Sequence, residues 1–178
     1  LKEAVLQVLD HNIKVIPKHD SSRIVPGKIG NTTSTFFPDP DVEVTSVDGI
    51  AAKSGGSDTW ANVRAAAGDL SNSTSTVLGI IATASTTTDQ YTQIRRAIIL
   101  FDTSAIGDSD TIDSATLSLF GFAGNTNGVG SLSQNICAST PASDTNIVNA
   151  DYGQTGTTDF STDKTYAAFS EIAYNDYA

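Results

Sequence analysis

Histidine, cysteine and methionine are nearly absent from this chain of 178 residues. It contains two histidines, His11 and His19, one cysteine, Cys137, and no methionine. A single cysteine excludes a disulfide within the chain, and we expect Cys137 to be a small buried hydrophobic residue. Both histidines precede the predicted strands, and the chain has no Gly-x-Ser-x-Gly motif for a serine hydrolase. The sequence therefore predicts a protein without enzyme activity.

Charged residues are also scarce, at 17% of the chain, and the net charge is −10. Because basic residues are few, we expect no nucleic-acid partner. No apolar run approaches the roughly 18 residues of a membrane-spanning helix, so we expect no membrane span. Serine, threonine, asparagine and glycine take the place of the charges, which is typical of an extracellular β-protein. The chain begins at Leu1 with no methionine, and we expect this to be a processed end or the start of a fragment.

Two apolar runs dominate the rest of the sequence. In residues 94–101, Ala97, Ile99 and Phe101 point one way and Ile98 and Leu100 the other, which predicts a strand covered on both faces. In residues 112–122, leucines alternate with serine and threonine, which predicts a half-buried strand. The linker 103–111 is rich in turn-forming residues. We therefore predict two adjacent long strands in an all-β core, with Ile98, Ile99, Leu100, Phe101, Leu117 and Leu119 nearly fully buried.

These runs resemble the signature of DNRLRE domains, which are disaggregatase-related modules, some of them classed as carbohydrate-binding. The resemblance is carried by the run from Arg96 to Ile106 and the run from Ile112 to Leu119, and extends over roughly residues 55–178. It implies a β-sandwich of jelly-roll type on a secreted, cell-surface or virion protein, usually without catalytic activity. The family's later strands are not visible before Ala178. We therefore expect the sandwich to be incomplete at its C-terminal end, and the protein to continue or a neighbouring subunit to cover the open edge.

The N-terminal segment differs from the body. Residues 1–10 place Val5, Val8 and Leu9 on one face at helical spacing, which predicts a short amphipathic helix. Ten residues do not hold a helix alone, so this face packs either on its own domain or on a partner. Proline and turn-forming residues crowd residues 26–41. We therefore predict an anchoring arm with a proline-rich linker over residues 1–41 and a sandwich over 42–178, with Val5, Val8 and Leu9 docking in a homo-oligomer or larger surface assembly.

Acidic residues alternate at Asp108, Asp110 and Asp113, after the first apolar run. Oxygen ligands in such spacing could hold Ca²⁺, although aspartate is equally a favoured turn residue. The turn is the favoured interpretation, with Ca²⁺ as the ion if a site exists. No other cofactor is expected.

Aromatic residues are few, and they are the residues that stack on sugar rings. Trp60, Tyr91 and Tyr152 are the candidates for a glycan site, with core packing as the alternative for Trp60. Trp60 falls in residues 59–68, where a short helix capped by Asp58 or Thr59 is predicted. Adjacent Arg95 and Arg96 must point to opposite faces of their strand, and we expect one of them to be held near the core by an aspartate such as Asp102.

Two functions fit this sequence. The first is a non-catalytic structural or adhesive component of an extracellular, cell-surface or virion assembly, such as a fibre, decoration or attachment protein, joined through its N-terminal arm. The second is a glycan-binding module attached to a secreted enzyme or adhesin. An exposed aromatic platform would favour the second function.

Overall fold

The computed structural model describes residues 2–18, 33–38, 44–75, 77–125, 133–165, 168–169 and 172–178, and of residues 2–18, 122–125 and 157 it describes the backbone. Antiparallel strands dominate this part of the chain, so the predicted all-β class is confirmed. The jelly-roll arrangement and the domain division near residue 41 stay predictions. No helix in these ranges is both long and apolar enough to cross a membrane.

The strands and helices of the described residues have the following bounds. The strands are β1 (Lys2–Lys18), β2 (Ser34–Phe36), β3 (Asp48–Thr59), β4 (Leu70–Asn72), β5 (Leu78–Ala84), β6 (Gln90–Ile99), β7 (Thr111–Asn125), β8 (Ser133–Gln134), β9 (Cys137–Ser139), β10 (Thr155–Asp159), β11 (Lys164–Thr165) and β12 (Tyr174–Tyr177). The α-helix α1 spans Trp60–Ala65, and a 3₁₀ helix spans Asn149–Gly153.

One sheet contains eight of these strands, in the order β12-β7-β1-β5-β6-β3-β4, with β2 also paired to β1. Residues 2–8 of β1 pair with β5, and residues 13–15 pair with β2 on the same edge. The strands β9 and β10 form a separate two-stranded sheet, and β8 and β11 form another. The described strands therefore form one large sheet accompanied by two small ones.

The N-terminal segment is a strand, so the predicted helix over residues 1–10 is wrong. β1 pairs with β5 on one edge and with β7 on the other, which places it inside the sheet. The register against β7 shifts between Gln7 and Val8 and again between Val8 and His11. Such irregularities interrupt the two-residue alternation of a strand, and the interrupted pattern imitated helical spacing. Pairing along both edges outweighs the weak helical preference of ten residues.

The two long apolar runs are strands, as predicted, but they are not adjacent. β1 and β5 lie between β6 and β7 in the sheet. The turn-rich linker 103–111 therefore does not form a hairpin. It contains local turns, with Ile106 N donating to Thr103 O at 2.9 Å and Asp110 N donating to Gly107 O at 2.8 Å. Sequence proximity favoured a hairpin, whereas the N-terminal strand takes the position beside β7.

Both faces of β6 are packed, as its sequence predicts. Ile94 and Ile98 belong to one buried cluster, with Val47, Ala51, Val63, Ile147 and Tyr152. Ala97 and Ile99 pack against a second cluster, formed by Ile50, Leu78, Leu119, Phe169 and Tyr177. Of the six residues predicted to be nearly fully buried, Ile98 is 2% exposed and Leu119 is 4% exposed. The other four, Ile99, Leu100, Phe101 and Leu117, are half-buried.

Residues 53–58 continue β3 as an irregular strand. The pairing of β3 with β6 passes from Ser54–Gln93 directly to Asp58–Tyr91, so that three residues of β3 oppose one of β6. Gly55 and Gly56 have φ angles of 83° and 77°, and the backbone reverses its local twist there at little steric cost. This bulge sets where β3 ends and α1 begins.

Candidate functional site

The large sheet divides between β5 and β6. Pairing of these strands runs from Ala84–Tyr91 to Ile81–Arg95. Beyond that point β5 continues to Leu78 along β1, and β6 continues to Ile99 along β3. A cleft of about 780 Å³ follows this fork, with β5, β6 and β7 on one side and residues 133–139 and 155–164 of the small sheets on the other. Its volume lies in the range of small-molecule sites.

The cleft explains why part of the predicted core is half-buried. Ile99, Leu100 and Leu117 line the cleft, so one side of each side chain meets open space and not another residue. Ile98 and Leu119 also line the cleft, but they are only 2% and 4% exposed, so for these two residues the sequence pattern predicted burial correctly. It could not reveal that two strands of one sheet separate beside these residues.

Trp60 and Tyr91, two of the aromatic candidates, lie together. Thr59 caps α1, since its hydroxyl accepts a hydrogen bond from Asn62 N at 3.3 Å, and this confirms the predicted helix start. Because Asp58 pairs with Tyr91 across β3 and β6, the first residue of α1 is placed over Tyr91. The two rings meet edge to face, with centroids 5.1 Å apart and an interplanar angle of 67°. Trp60 is 43% exposed and lines the cleft.

A further aromatic residue, Phe160, also lines the cleft and is 63% exposed. It follows β10, on the side opposite to the large sheet. Its backbone N–H donates to the carbonyl of Ile136 at 2.7 Å, which fixes the position of the chain there. Trp60 and Phe160 therefore give the cleft two solvent-exposed aromatic side chains.

Tyr152, the third aromatic candidate, is not available to a ligand. Its side chain is fully buried, and its hydroxyl donates to the carbonyl of Val63 at 2.8 Å. Burial raises the pKa of the Tyr152 hydroxyl. The prediction that Tyr152 contacts a glycan is wrong, because the 3₁₀ helix turns this ring inward against α1 and β6.

Arg96 is the arginine held near the core, but its partners are not an aspartate. Its Nη1 donates to the carbonyl of Tyr152 and, at 2.9 Å, to Thr155 Oγ1, and its Nη2 donates to the carbonyl of Arg64 at 3.0 Å. Its guanidinium carbon lies 4.1 Å from the centroid of the Tyr152 ring. Burial lowers the pKa of Arg96. Carbonyl oxygens and a ring face replace the carboxylate that we expected from Asp102.

Three buried polar atoms lack a hydrogen-bond partner within the described residues, and all three belong to residues that line the cleft. They are Arg95 Nε, Gln134 Oε1 and Ser139 Oγ. The side-chain nitrogen of Gln134 donates to the hydroxyl of Tyr177, so the other end of the amide remains for another donor. A buried donor or acceptor without a partner costs about 1–3 kcal/mol. The residues that line the cleft thus include a donor, an acceptor and a hydroxyl that have no partner within the described structure.

Basic residues also converge on the cleft. From residue 29 to the C-terminus, the chain has five lysines and arginines, and four of them line it: Arg64, Arg95, Arg96 and Lys164. The fifth, Lys53, instead forms an ion pair with Asp69, with 2.8 Å between Nζ and Oδ2. Among the described lining residues one is acidic, Asp159. The cleft is therefore cationic although the whole chain carries a net charge of −10.

Cys137 lines the cleft and is half-buried, so the prediction of a small buried residue is wrong. Its Sγ donates to Asp159 Oδ1 at 3.4 Å and to Asn135 Oδ1 at 3.5 Å. Burial, followed by the Asp159 carboxylate, raises the pKa of the thiol. A raised pKa favours the neutral thiol, which is a poor nucleophile.

The predicted metal ligands Asp108, Asp110 and Asp113 follow the turn interpretation. Asp110 Oδ2 accepts a hydrogen bond from Gly107 N at 3.1 Å, which closes a local turn. Within the described ranges, no group of three or more His, Cys, Asp or Glu residues is placed to hold a metal ion. The side chains of Val5, Val8 and Leu9, the predicted docking residues, lie outside the described part of the structure.

The residues that the sequence failed to identify are Arg95, Gln134, Ser139 and Lys164. One signal was present, because a charged pair in the middle of an apolar strand is unusual. The sequence analysis interpreted this pair as structural. That interpretation is correct for Arg96, whereas Arg95 also lines the cleft with an unpartnered Nε. Gln134, Ser139 and Lys164 lie 39 or more positions further along the chain from Arg95, and only the fold brings them to the same cleft.

Comparison of the chain with protein-family models, with curated proteins and with solved structures found no match. The resemblance to DNRLRE domains therefore stays a prediction.

Proposed function

We propose that this protein is a non-catalytic glycan-binding module and that the cleft along the fork of β5 and β6 holds the sugar. The observation that carries the proposal is the position of Trp60, an exposed aromatic residue beside a cleft with three unpartnered polar atoms. Sugars combine apolar ring faces with hydroxyl groups, so a site for them needs both aromatic surface and hydrogen-bonding groups.

The aromatic pair supports a stacking surface. The edge-to-face contact with Tyr91 holds the Trp60 ring in one orientation and leaves part of the indole exposed. A ring that is already ordered loses little conformational entropy when a ligand packs on it. Phe160 offers a second apolar surface across the cleft.

The three polar atoms support recognition of hydroxyl groups. Arg95 Nε requires an acceptor, Gln134 Oε1 requires a donor, and Ser139 Oγ serves as either. A sugar hydroxyl donates one hydrogen bond and accepts others, so a single sugar ring can satisfy all three kinds of group. Hydrogen bonds from the sugar to these atoms would remove the cost of leaving them unpaired, and this gain would contribute to affinity.

The remaining features support binding without catalysis. The thiol of Cys137 is held neutral by its surroundings, and the chemistry of a glycosidase requires a pair of carboxyl groups, whereas the described lining of the cleft includes one, Asp159. A surface rich in serine, threonine and asparagine suits a module displayed outside the cell or on a virion. Adhesion to glycans would be its role there.

The other predicted function, a structural component of a surface assembly, rested in part on a free N-terminal helix. That support is lost, since residues 2–18 pair within the sheet of their own chain. Attachment through a homo-oligomer stays a prediction, and the mass of the protein in solution, with and without residues 1–28, tests it.

Binding of the intact chain to an array of glycans tests the proposed function, followed by calorimetry with Trp60→Ala. We expect the variant to bind the selected glycan at least about tenfold more weakly, since an aromatic contact of this kind contributes about 1–3 kcal/mol. Phe37→Ala is the matched control, because Phe37 is also exposed but does not line the cleft. Thermal unfolding checks that both variants remain folded. A chain that binds no glycan, or equal binding by wild type and Trp60→Ala, overturns the proposal.

A further inference from the structure

Positive charge is concentrated in the cleft far beyond what the composition requires. Four of the five basic residues between 29 and 178 line the cleft, and Asp159 is the one acidic residue in its described lining. Counted by formal charge, these side chains leave an excess of three positive charges around a volume of about 780 Å³. The rest of the body is strongly acidic. Like charges brought together within one cleft repel each other, so an anion among them would relieve that repulsion.

Arg95 is the residue through which such an anion would be held. Its Nε is buried and has no hydrogen-bond partner in the described structure, in contrast to the Nη atoms of Arg96, which bond to carbonyls and to Thr155. Its guanidinium lies over Gly79, where a Cβ atom would come within 3.4 Å of Nη1. The guanidinium therefore lies at van der Waals distance from the backbone of β5 at the fork.

A charged oxygen suits Arg95 better than a neutral hydroxyl. Hydrogen bonds between a guanidinium and an anionic oxygen are roughly twice as strong as neutral ones. A guanidinium whose Nε is buried without a partner is costly, and a bound anion would remove the hydrogen-bonding cost and balance the charge. Lys164, whose Nζ lies 5.1 Å from the centroid of the Tyr177 ring, adds a cation from the opposite side of the cleft.

We propose that the ligand of this cleft is a phosphorylated sugar, whose phosphate monoester is bound by Arg95, with Arg64 and Lys164 as further cations in the lining of the same cleft. This inference rests on the proposed glycan-binding function and specifies its ligand. An excess of three positive charges favours a doubly charged group over a singly charged one, and a phosphate monoester carries close to two negative charges at neutral pH. A sulfate ester or a uronic acid carries one.

An array that presents each sugar in neutral, uronic-acid, sulfated and phosphorylated forms separates this inference from the proposed function. We expect the phosphorylated forms to bind at least about tenfold more tightly than the matched neutral forms. Preference for neutral sugars would leave the proposed function standing and overturn the phosphate inference. Preference for sulfated or uronic-acid forms would also overturn it. If no glycan binds, calorimetry with inorganic phosphate decides whether the anion site exists without the sugar site, and absence of phosphate binding overturns the inference.

Substitution of the basic residues gives the second test. Arg95→Gln should weaken binding of the phosphorylated sugar by about tenfold or more while leaving the neutral sugar within about threefold. Lys53→Gln is the matched control, because it removes the same charge from the basic residue that does not line the cleft. Arg64→Gln serves as a second variant if Arg95→Gln does not fold, since Arg64 is exposed and the carbonyl that Arg96 contacts is retained. Equal losses in Lys53→Gln and the cleft variants would overturn the inference.

The charge of the ligand is tested by pH. The second pKa of a phosphate monoester is near 6, so it changes from dianion to monoanion between pH 7.5 and 5.0, whereas a sulfate ester keeps one charge. The ionisable side chains that line the cleft are Arg64, Arg95, Arg96, Lys164, Asp159 and Cys137, and they are the same for both ligands. The ratio of the affinity for the phosphate ester to the affinity for the sulfate ester therefore reports the change in charge of the phosphate alone. We expect the preference for phosphate to fall severalfold at pH 5.0, and a constant ratio would overturn the inference.

Discussion

The guanidinium of Arg96 lies on the ring of Tyr152, with its carbon 4.1 Å from the ring centroid, and it also bonds to the carbonyl of the same residue. Together with the hydrogen bond from the Tyr152 hydroxyl to Val63, this contact joins β6, the 3₁₀ helix and α1. It holds α1 in place, and α1 carries Trp60 at the cleft. The buried tyrosine therefore helps to position the exposed tryptophan.

Two substitutions at Tyr152 should separate the contributions of its hydroxyl and of its ring to stability. Tyr152→Phe keeps the ring under Arg96 and leaves the Val63 carbonyl without its donor, so we expect the free energy of unfolding to fall by about 1–2 kcal/mol. Tyr152→Leu also removes the cation–π contact and ring volume, and should cost at least about 1 kcal/mol more. Urea denaturation measures both variants. A Tyr152→Leu variant as stable as Tyr152→Phe would contradict the role assigned to the ring.

The glycine at position 68 should not tolerate alanine. A Cβ atom there would lie 2.2 Å from the carbonyl oxygen of Asn149 and 2.6 Å from Tyr152 Cβ, so the 3₁₀ helix would have to move away. We expect Gly68→Ala to lower the free energy of unfolding by about 2 kcal/mol or more. Gly153→Ala is the control, because a Cβ atom there meets nothing within 4 Å, and it should change stability by less than about 0.5 kcal/mol. Equal effects in the two variants would argue against this packing.

Substitution of two leucines of β7 by alanine should lower the free energy of unfolding by different amounts, although both lie on the same face of the strand. Leu119 is nearly fully buried, so Leu119→Ala should cost about 3 kcal/mol. Both leucines line the cleft, but Leu117 is only half-buried and has fewer neighbours to lose, so Leu117→Ala should cost about half as much. Chemical denaturation compares the two. Equal losses would mean that Leu117 is packed as tightly as Leu119, against the difference in burial seen here.

The free energy of unfolding should fall at alkaline pH because the Tyr177 hydroxyl loses its proton. Burial raises the pKa of Tyr177 to about 12, against an ordinary value near 10, so the folded state holds this proton more tightly than the unfolded state. Its contribution is complete below pH 10 and is lost as the pH rises from about 10 to about 12. The raised pKa of Tyr152 adds to the same trend. Unfolding measured between pH 9 and 12 should show a smaller decline in Tyr177→Phe than in the wild type, and identical slopes would contradict the assignment.

Deletion of residues 1–18 tests the position of β1. This strand pairs with β5 on one edge and β7 on the other, so its loss would leave the backbone groups of both neighbours without partners. We expect the shortened chain to lose its cooperative unfolding transition and to aggregate. A soluble shortened chain with an unchanged transition would instead support a separate anchoring arm.

The sequence alone determined the features that depend on neighbouring residues. The alternation around Ile98 and Ile99 required a strand packed on both faces, since successive side chains of a strand point to opposite sides. Thr59 and the alanines after it specified a short helix and its first residue. The scarcity of aromatic residues reduced the candidate ligand contacts to a few, and two of these, Trp60 and Tyr91, lie together.

Tertiary structure decided what depends on residues distant in the chain. The N-terminal segment is a strand because two neighbours pair with it, and its irregular register conceals this from a search for periodicity. Tyr152 is buried because Gly68 lets the 3₁₀ helix approach closely, which its own local sequence does not indicate. The cleft exists because β5 and β6 follow different partners beyond Ile81 and Arg95. Strand pairing is set by contacts across the whole fold. For this reason the sequence indicated some residues of the candidate site but not where in the fold they come together.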